Sequence, residues 1–363
     1  MNNRFFQISA FFFFYFALIG VYVIFLPKIL QNLSYTPTQI GIIFSISPLM
    51  RFITPFFFLK HFALTRRVLH ISLLFMLLCI PLFYITIKSF NLFIFTNIIY
   101  GISSGLVLPY IETYSLQILQ KENYGRARLY GSIGFIFVAL VLAKLLDDNY
   151  MGLHFVAVTI IASVIFATII SQDKKHFKDD VPKKEQEHFD LLKNRRLWIS
   201  IFLMQVSFGA FYSFFTIYES DHGLSLTTIS YLWTFGVICE IVLFYFQSWF
   251  LQFNLLKIIQ FTLFVTIIRW LILFIFPDTL VGVYISQAFH AFSFALYHTA
   301  TLSFLYQNYH NKKLSAQFYY GIGFGLGGFT GSLIAGYFYG KYLFLVSALI
   351  SAIAFLSLIS KKK

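Results

Sequence analysis

Apolar residues gather into long runs separated by short polar stretches, and within a run the polar positions do not recur at every second residue. A helix needs about 20 apolar residues to cross the roughly 30 Å hydrocarbon layer of a membrane. Because strand-like alternation is absent, a transmembrane β-barrel is disfavoured. The pattern predicts twelve transmembrane helices, at 5–27, 39–59, 69–87, 91–119, 127–146, 152–171, 197–218, 226–250, 255–276, 279–306, 315–339 and 341–360.

Composition supports an all-α integral membrane protein. Of the 363 residues, 59% are hydrophobic and 11% are charged, whereas soluble domains are usually about 45–50% apolar and 25% charged. The two cysteines, Cys79 and Cys239, lie in apolar runs, which excludes a disulfide scaffold and a CxxC-type metal site. The opening run lacks a small-residue cleavage site and is interpreted as an uncleaved first helix.

The distribution of basic residues predicts the orientation. With the N-terminus inside, 21 of the 27 Lys and Arg residues fall on the cytoplasmic side and four fall outside. This asymmetry follows the positive-inside rule and fits an even number of spans. We therefore expect a multi-pass protein of a bacterial inner membrane with both termini in the cytoplasm. The net charge of +13 is then a topology signal, and no nucleic-acid partner is expected.

The chain contains two related halves. The stretch 172–196 is long and polar, with both signs of charge, and is typical of a solvated cytoplasmic linker. Ile8-Ser9 matches Ile199-Ser200 at an offset of 191, and the run 127–135 (ARLYGSIGF) matches 316–324 (AQFYYGIGF) at an offset of 189. Six spans in each half, both starting inside, indicate parallel repeats. That is a transporter architecture with a substrate site near the midplane, between the halves.

The sequence thus predicts two pseudo-symmetric six-helix bundles, 1–171 and 197–363, joined by the linker 172–196. Ionisable residues inside spans are costly and usually face a cavity or each other. Arg51 and Glu240 are related by the same offset of 189, so they should occupy equivalent depths in the two halves. Structural ion pairs that lock helices together are the alternative interpretation. The ionisable residues within the predicted spans include Arg51, Glu112, Glu240, Arg269, His290 and His298.

The run 124–135 (YGRARLYGSIGF), which opens the fifth span, resembles the signature of the lactose permease group of the major facilitator superfamily, and of the related phenylpropionate permeases. By this resemblance Glu112 matches a substrate-binding glutamate of the fourth span, and Arg128 matches the arginine that pairs with it. Phe135 falls where the lactose permease has a tryptophan that stacks on the sugar ring. The resemblance covers nearly the whole chain and implies the major facilitator fold.

In the second half, Glu240, Arg269 and His290 fall where that permease has its coupling glutamate, arginine and histidine. One position departs from the pattern, since Ser293 stands where the lactose permease carries a protonatable carboxylate. The phenylpropionate group is more similar to this chain, because its arginine in the second span and its second histidine correspond to Arg51 and His298.

These observations predict a proton-coupled symporter that imports a small organic solute, with an aromatic or other carboxylate favoured over a sugar or nucleoside. The predicted substrate-binding residues are Glu112, Arg128, Phe135 and Arg51, and the predicted proton-coupling residues are Glu240, Arg269, His290 and His298. No GxxxxGK[ST] loop is present, so the proton gradient and not ATP is expected to drive transport. We expect no cofactor, no metal, no enzymatic activity and a functional monomer in the lipid bilayer.

Two rival interpretations stay open at this point. The first is an exporter of drugs or metabolites in the same fold, although the loop 59–67 lacks the Gly and Asp of the usual superfamily loop motif. The second belongs to another class, a membrane sensor or lipid-handling enzyme that transports nothing.

Overall fold

The structure is a computed structural model that describes residues 2–61, 65–146, 149–172 and 190–359. Within these ranges the chain is almost entirely helical. It divides into two compact units, one of Met1–Gln39 with Leu49–Lys184 and the other of Ile40–Pro48 with Glu185–Lys363. Most of the predicted linker, residues 173–189, lies outside the described residues, and α7 begins at Arg195.

The first unit is built around two long helical elements. α1 packs against α5 and α6, and α4 packs against the same two helices. Its helices are α1 (Asn2–Gly20), α2 (Leu26–Asn32), most of α3 (Pro37–His61), α4 (Arg66–Thr86), α5 (Phe90–Leu145) and α6 (Asn149–Ser171).

α5 is a single helical segment of 56 residues, where the hydropathy pattern predicts two spans. It cannot be straight, because residues 112 and 128 would then lie about 24 Å apart at 1.5 Å per residue. Their side chains instead approach to 3.5 Å. The chain therefore reverses direction between them, as the hairpin predicted between the fourth and fifth spans requires.

The second unit is centred on α7. α7 packs against α13 and α14, α9 packs against α14, and α8 packs against residues 291–296. Its helices are α7 (Arg195–Asp221), α8 (Leu226–Phe250), α9 (Leu255–Ile275), α10 (Leu280–Ala288), α11 (Tyr297–Asn308), α12 (Lys312–Phe318), α13 (Gly328–Tyr337) and α14 (Leu343–Ile359).

Several helices begin where a polar side chain caps them. The side chains of Thr65, Ser225 and Asn254 accept hydrogen bonds from the backbone N–H three residues further on. Such a cap satisfies one of the N–H groups that have no partner within the first turn. These caps place the starts of α4, α8 and α9 within three residues of the boundaries that hydropathy predicts.

Three spans widen into π-helical turns, at Val21–Phe25, Ala291–Leu296 and Tyr319–Gly327. A π turn inserts one extra residue into the helix and is frequent at functional sites. Two of these turns lie in the second unit. The turn Ala291–Leu296 directly follows the predicted site residue His290, and the turn Tyr319–Gly327 contains several aromatic residues. Hydropathy does not predict the π turns, because one additional residue leaves the apolar run intact.

Nine helical stretches of the described residues are long and apolar enough to cross a membrane, and α14 is a shorter apolar helix. Each predicted run is mostly helical in the described residues, although its ends differ from those of the helices and two of the runs lie in the single segment α5. The all-helical architecture agrees with the prediction, while the count of twelve spans stays a prediction.

Candidate functional site

The first unit brings Glu112 and Arg128 together. Arg128 Nε lies 3.5 Å from Glu112 Oε1, and each side chain is about one-third exposed. The Arg128 guanidinium also lies 3.7 Å from the centroid of the Phe16 ring on α1. A planar guanidinium over an aromatic face gains a cation–π attraction in addition to its ion pair. Arg128 is therefore held by two partners of different chemistry.

Arg51 lies in the same unit but has a different environment. Its side chain is exposed, and no carboxylate of the described residues forms an ion pair with it. Its charge acts on the phenol groups of Tyr15, Tyr22 and Tyr100. Its Cγ lies 3.5 Å from the position that a Cβ on Gly105 would occupy. Arg51 thus presents a cationic fork beside tyrosines and close to the α5 backbone.

The tyrosines around Arg51 are held in place by their own hydrogen bonds. Tyr15 donates to the carbonyl oxygen of Ser104 at 2.9 Å, and Tyr22 donates to the Asn97 side-chain oxygen. Since each hydroxyl donates to an acceptor on α5, the tyrosines link α1 and the following π turn to α5.

Phe135 is half-buried and packs beside α1. A Cβ on Gly20 would lie 3.3 Å from its ring carbon Cδ2 and 3.4 Å from its carbonyl oxygen. This close approach gives Phe135 a part in packing α1 against α5. Its predicted role in stacking on a substrate ring stays a prediction.

In the second unit, Glu240 on α8 meets His290, which directly precedes the π turn Ala291–Leu296. His290 Nε2 lies 3.8 Å from Glu240 Oε2, and the side chains are 7% and 18% exposed. His290 stacks on Phe294 with ring centroids 5.2 Å apart, and Phe211 lies at the same centroid distance. The carboxylate and imidazole therefore meet in a largely apolar and dehydrated environment.

Arg269 on α9 is fully buried beside this pair, and its charge acts on His290. Its Nη1 donates to Ser293 Oγ at 3.1 Å, and its guanidinium lies 4.3 Å from the centroid of Phe211. Nε and Nη2 have no hydrogen-bond partner among the described residues. A serine hydroxyl and an aromatic face thus hold the guanidinium, and that serine, Ser293, stands where the lactose permease pattern has a carboxylate.

His298 is separated from His290 by the ring of Phe294, which contacts both imidazoles. Tyr319 and Tyr320 place their hydroxyls 3.1 Å from Nδ1 and 3.4 Å from Nε2 of His298. A hydroxyl can donate or accept, so this arrangement suits either tautomer of the imidazole. The structure thus places His298 close to the Glu240–His290 pair but inside an aromatic cluster.

We define the aromatic cluster as His298, Tyr319, Tyr320, Phe294 and Phe324. Their rings contact one another, with centroids between 5.4 and 6.4 Å apart where they meet. Tyr320 is the most exposed of them, at 48%. The tyrosines of this cluster were not predicted, because nothing marks two particular tyrosines among the 23 in the chain.

Glu219 is a further residue whose burial the sequence does not predict. It lies one residue beyond the predicted span 197–218, where a carboxylate is expected to be solvated. The structure extends α7 to Asp221 and buries Glu219 completely. Continuation of the helix past the apolar run is the reason for the difference.

Comparison with known proteins identifies the family. The model of the MFS_1 like family matches residues 5–348. The chain is 25% identical over 323 residues to an uncharacterized transporter, YwbF, of Bacillus subtilis (strain 168), covering 85% of this chain and 79% of that protein. It is 22% identical over 253 residues to a probable 3-phenylpropionic acid transporter of Escherichia coli (strain K12), covering 64% of each.

Among solved structures, the fold resembles that of the nucleoside transporter NupG. The two superpose with a TM-score of 0.82 at 17% sequence identity, covering 99% of this chain and 100% of that one. Identity at this level supports the fold alone. Together with the family match over most of the chain, it shows that this multi-pass membrane protein belongs to the MFS_1 like family and is a major facilitator superfamily transporter.

Proposed function

We propose that the protein is a proton-coupled symporter that imports a small organic carboxylate, preferably an aromatic one, across a bacterial inner membrane by alternating access. Both termini would be cytoplasmic, the monomer would be the functional form, and the proton gradient would replace any cofactor. The observation that carries the proposal is the contact between the Glu240 carboxylate and the His290 imidazole, 3.8 Å apart and largely buried.

The charge of this pair depends on a single proton. With one proton shared between them, a neutral carboxyl faces a neutral imidazole, or a carboxylate faces an imidazolium. Arg269 adds a fixed positive charge beside them. In a medium of low dielectric, gain or loss of that proton changes the electrostatic energy strongly. Such a centre can link a proton to a conformational step, which is what symport requires.

Carboxylate recognition is supported by Arg51. Arginine presents a planar fork that matches a carboxylate through two parallel hydrogen bonds. Arg128 already faces Glu112, whereas Arg51 is exposed and forms no ion pair with a described carboxylate. One relative is named as a probable 3-phenylpropionic acid transporter, and that acid is an aromatic carboxylate.

An aromatic ring on the substrate is supported by the aromatic cluster. Tyr320 exposes about half of its surface, and its ring lies 5.7 Å from that of Phe324. Aromatic side chains contribute large contact areas and offset or edge-on stacking to a bound ring.

The test is uptake by purified protein in proteoliposomes under an imposed pH gradient. The panel should contain aromatic carboxylates, aliphatic carboxylates, sugars and nucleosides, each with empty liposomes as the control. We expect aromatic carboxylates to accumulate and a protonophore to abolish accumulation. Accumulation of a sugar or nucleoside alone would contradict the substrate class, and outward movement driven by the same gradient would favour the exporter alternative.

A further inference from the structure

A second buried carboxyl group lies away from the residues used above. Glu219 stands in the last turn of α7 and is 0% exposed. Neither of its carboxylate oxygens has a hydrogen-bond partner among the described residues. The proton centre proposed above is built from α8, α9 and the residue that precedes the π turn Ala291–Leu296, and it does not use this group.

No cation of the described residues forms an ion pair with Glu219. The charged group that acts on it is Asp278, in the connection between α9 and α10, and it has the same sign as an ionised Glu219. α14, which packs against α7, carries no ionisable residue. α13, which also packs against α7, has Tyr337 as its ionisable residue, and that side chain is 76% exposed. The first ionisable residue of α8 is Tyr231, which is 45% exposed.

Ionisation of Glu219 would therefore be very unfavourable in this conformation. A buried carboxylate without a paired cation is strongly disfavoured relative to the neutral carboxyl group, and a neighbouring carboxylate disfavours it further. A protonated carboxyl group in the same place is neutral and much less costly. The burial, the unpartnered oxygens and the like-charged neighbour all favour the protonated form.

A cavity lies beside the residues that flank this group in the chain. Tyr218 and Asp221, on either side of Glu219 in the chain, line a cavity of about 500 Å³ together with His222, Asp278 and Lys341. The imidazole Nδ1 of His222 lies 2.8 Å from the Tyr218 carbonyl oxygen. Tyr339 donates a hydrogen bond to Asp221 at the same end. The cavity thus brings exchangeable protons within one helical turn of Glu219.

We propose that Glu219 is a proton-binding site of the second unit, separate from the Glu240–His290 pair, which holds a proton in this conformation and exchanges it with water through the cavity lined by Asp221, His222 and Asp278. In the orientation proposed above, this cavity faces the outside of the cell. The site does not depend on the identity of the transported solute.

Infrared spectroscopy of the purified full-length protein tests the proposal without measuring transport. We expect a protonated carboxyl C=O band at neutral pH that disappears in Glu219→Gln. The band should remain in Asp221→Asn, which changes an exposed carboxylate two residues away, and in Glu240→Gln. Transfer to D₂O should shift its frequency, since an exchanging proton is replaced by deuterium. Glu219→Asp, which keeps the carboxyl, serves as the second variant and should move the band without removing it.

A second measurement counts the proton that Glu219 holds. Unfolding the wild-type protein at neutral pH in weak buffer should release a proton from Glu219, because the exposed carboxyl ionises. Asp221→Asn should release the same number of protons as the wild type, and Glu219→Gln one fewer. The proposal is overturned by the absence of any Glu219-dependent band, by a band that D₂O does not shift, or by equal proton release from Glu219→Gln and wild type. None of these results bears on proton-driven uptake, so they are distinguishable from failure of the proposed function.

Discussion

Glu112 and Arg128 lie in one uninterrupted helical segment, yet Glu112 Oε1 is only 3.5 Å from Arg128 Nε. The reversal of the chain between them brings a carboxylate from its first arm and a guanidinium from its second to the same place. Phe16 of α1 then lies 3.7 Å from that guanidinium. The two arms of α5 and the helix α1 thus meet at one partly exposed ion pair. For this reason we propose that Glu112 and Arg128 contact the substrate.

The first prediction concerns Arg128→Lys. An ammonium group keeps the charge but loses the planar stacking on Phe16 and the bidentate fork. Loss of one charge-assisted hydrogen bond, worth about 1.5–3 kcal/mol, weakens binding roughly tenfold or more. We expect this loss in equilibrium binding to purified protein, with little change in thermal stability. The double variant Glu112→Gln with Arg128→Gln should insert normally and bind nothing.

The control for this pair is Arg126→Lys, the same change at an exposed arginine two residues earlier in α5. It should bind substrate like the wild type. Native affinity in the double variant would show that the Glu112–Arg128 pair serves only to hold the helices together.

The second prediction concerns Glu240→Gln. Glutamine keeps the size of the side chain but does not take up or release a proton near neutral pH. The residue at position 240 can then no longer change the charge of the pair with His290. We expect loss of gradient-driven accumulation with retention of substrate exchange across proteoliposome membranes. Cys239→Ala, at the neighbouring half-buried position, is the control and should accumulate substrate normally. Undiminished accumulation in Glu240→Gln would move the coupling role to His290, His298 or Glu112.

The third prediction concerns Ser293→Asp. The Ser293 hydroxyl accepts a hydrogen bond from the buried Arg269 at 3.1 Å. A carboxylate there would neutralise a guanidinium whose other nitrogens have no partner among the described residues. We expect Ser293→Asp to raise the melting temperature and to slow proton-driven uptake, because Arg269 becomes tied to a fixed anion. Ser293→Asn has the same size without the charge, and an equal stabilisation by Asn would disprove the electrostatic explanation.

The fourth prediction concerns the contact between α7 and α13. A Cβ on Gly209 would lie 2.1 Å from the Gly331 carbonyl carbon, and a Cβ on Gly331 would lie 2.4 Å from the Val206 carbonyl oxygen. Backbone atoms cannot move aside as a flexible side chain can, so Gly209→Ala should lose at least the roughly 1–3 kcal/mol typical of overpacking. Fluorescence-detected chromatography on heating should show the loss. Gly125→Ala, where a Cβ meets nothing within 4 Å, is the control, and equal destabilisation there would contradict the steric explanation.

The helical spans could be predicted because the hydrocarbon layer imposes length and apolar composition on them. α8 begins and ends where the apolar run 226–250 does, and α9 differs from the run 255–276 by one residue. Capping by Ser225 and Asn254 reinforces these starts. The π turns and the continuous helical path of α5 could not be predicted, since both depend on backbone hydrogen bonds that hydropathy does not report.

The ionisable residues of the candidate site were visible in the sequence because charges inside apolar runs are rare and costly. Their aromatic partners were not visible. Phe16 and Phe211 contact Arg128 and Arg269, but nothing distinguishes them among 49 phenylalanines. A tertiary contact of a common residue leaves no pattern in one sequence, whereas a charge in a membrane span does.

The last prediction concerns Arg51→Lys. Arg51 is exposed, forms no ion pair with a described carboxylate, and acts on three tyrosines whose positions are largely fixed by α5. If its fork holds the substrate carboxylate, lysine replaces two parallel hydrogen bonds by one point charge. We expect affinity for an aromatic carboxylate to fall roughly tenfold, the equivalent of about 1.4 kcal/mol. Affinity for the matching carboxamide, which cannot form the charged pair, should already be low and should not change.

Isothermal titration of both ligands against wild type and Arg51→Lys measures the difference directly. Salt should weaken carboxylate binding to the wild type, since an exposed charge pair is screened. Arg66→Lys, on α4 next to His70, is the matched control and should bind both ligands normally. An equal loss of carboxylate and carboxamide affinity would mean that Arg51 shapes the site without contacting the carboxylate. The substrate anion would then have to be assigned to Arg128, whose pairing with Glu112 would break on binding.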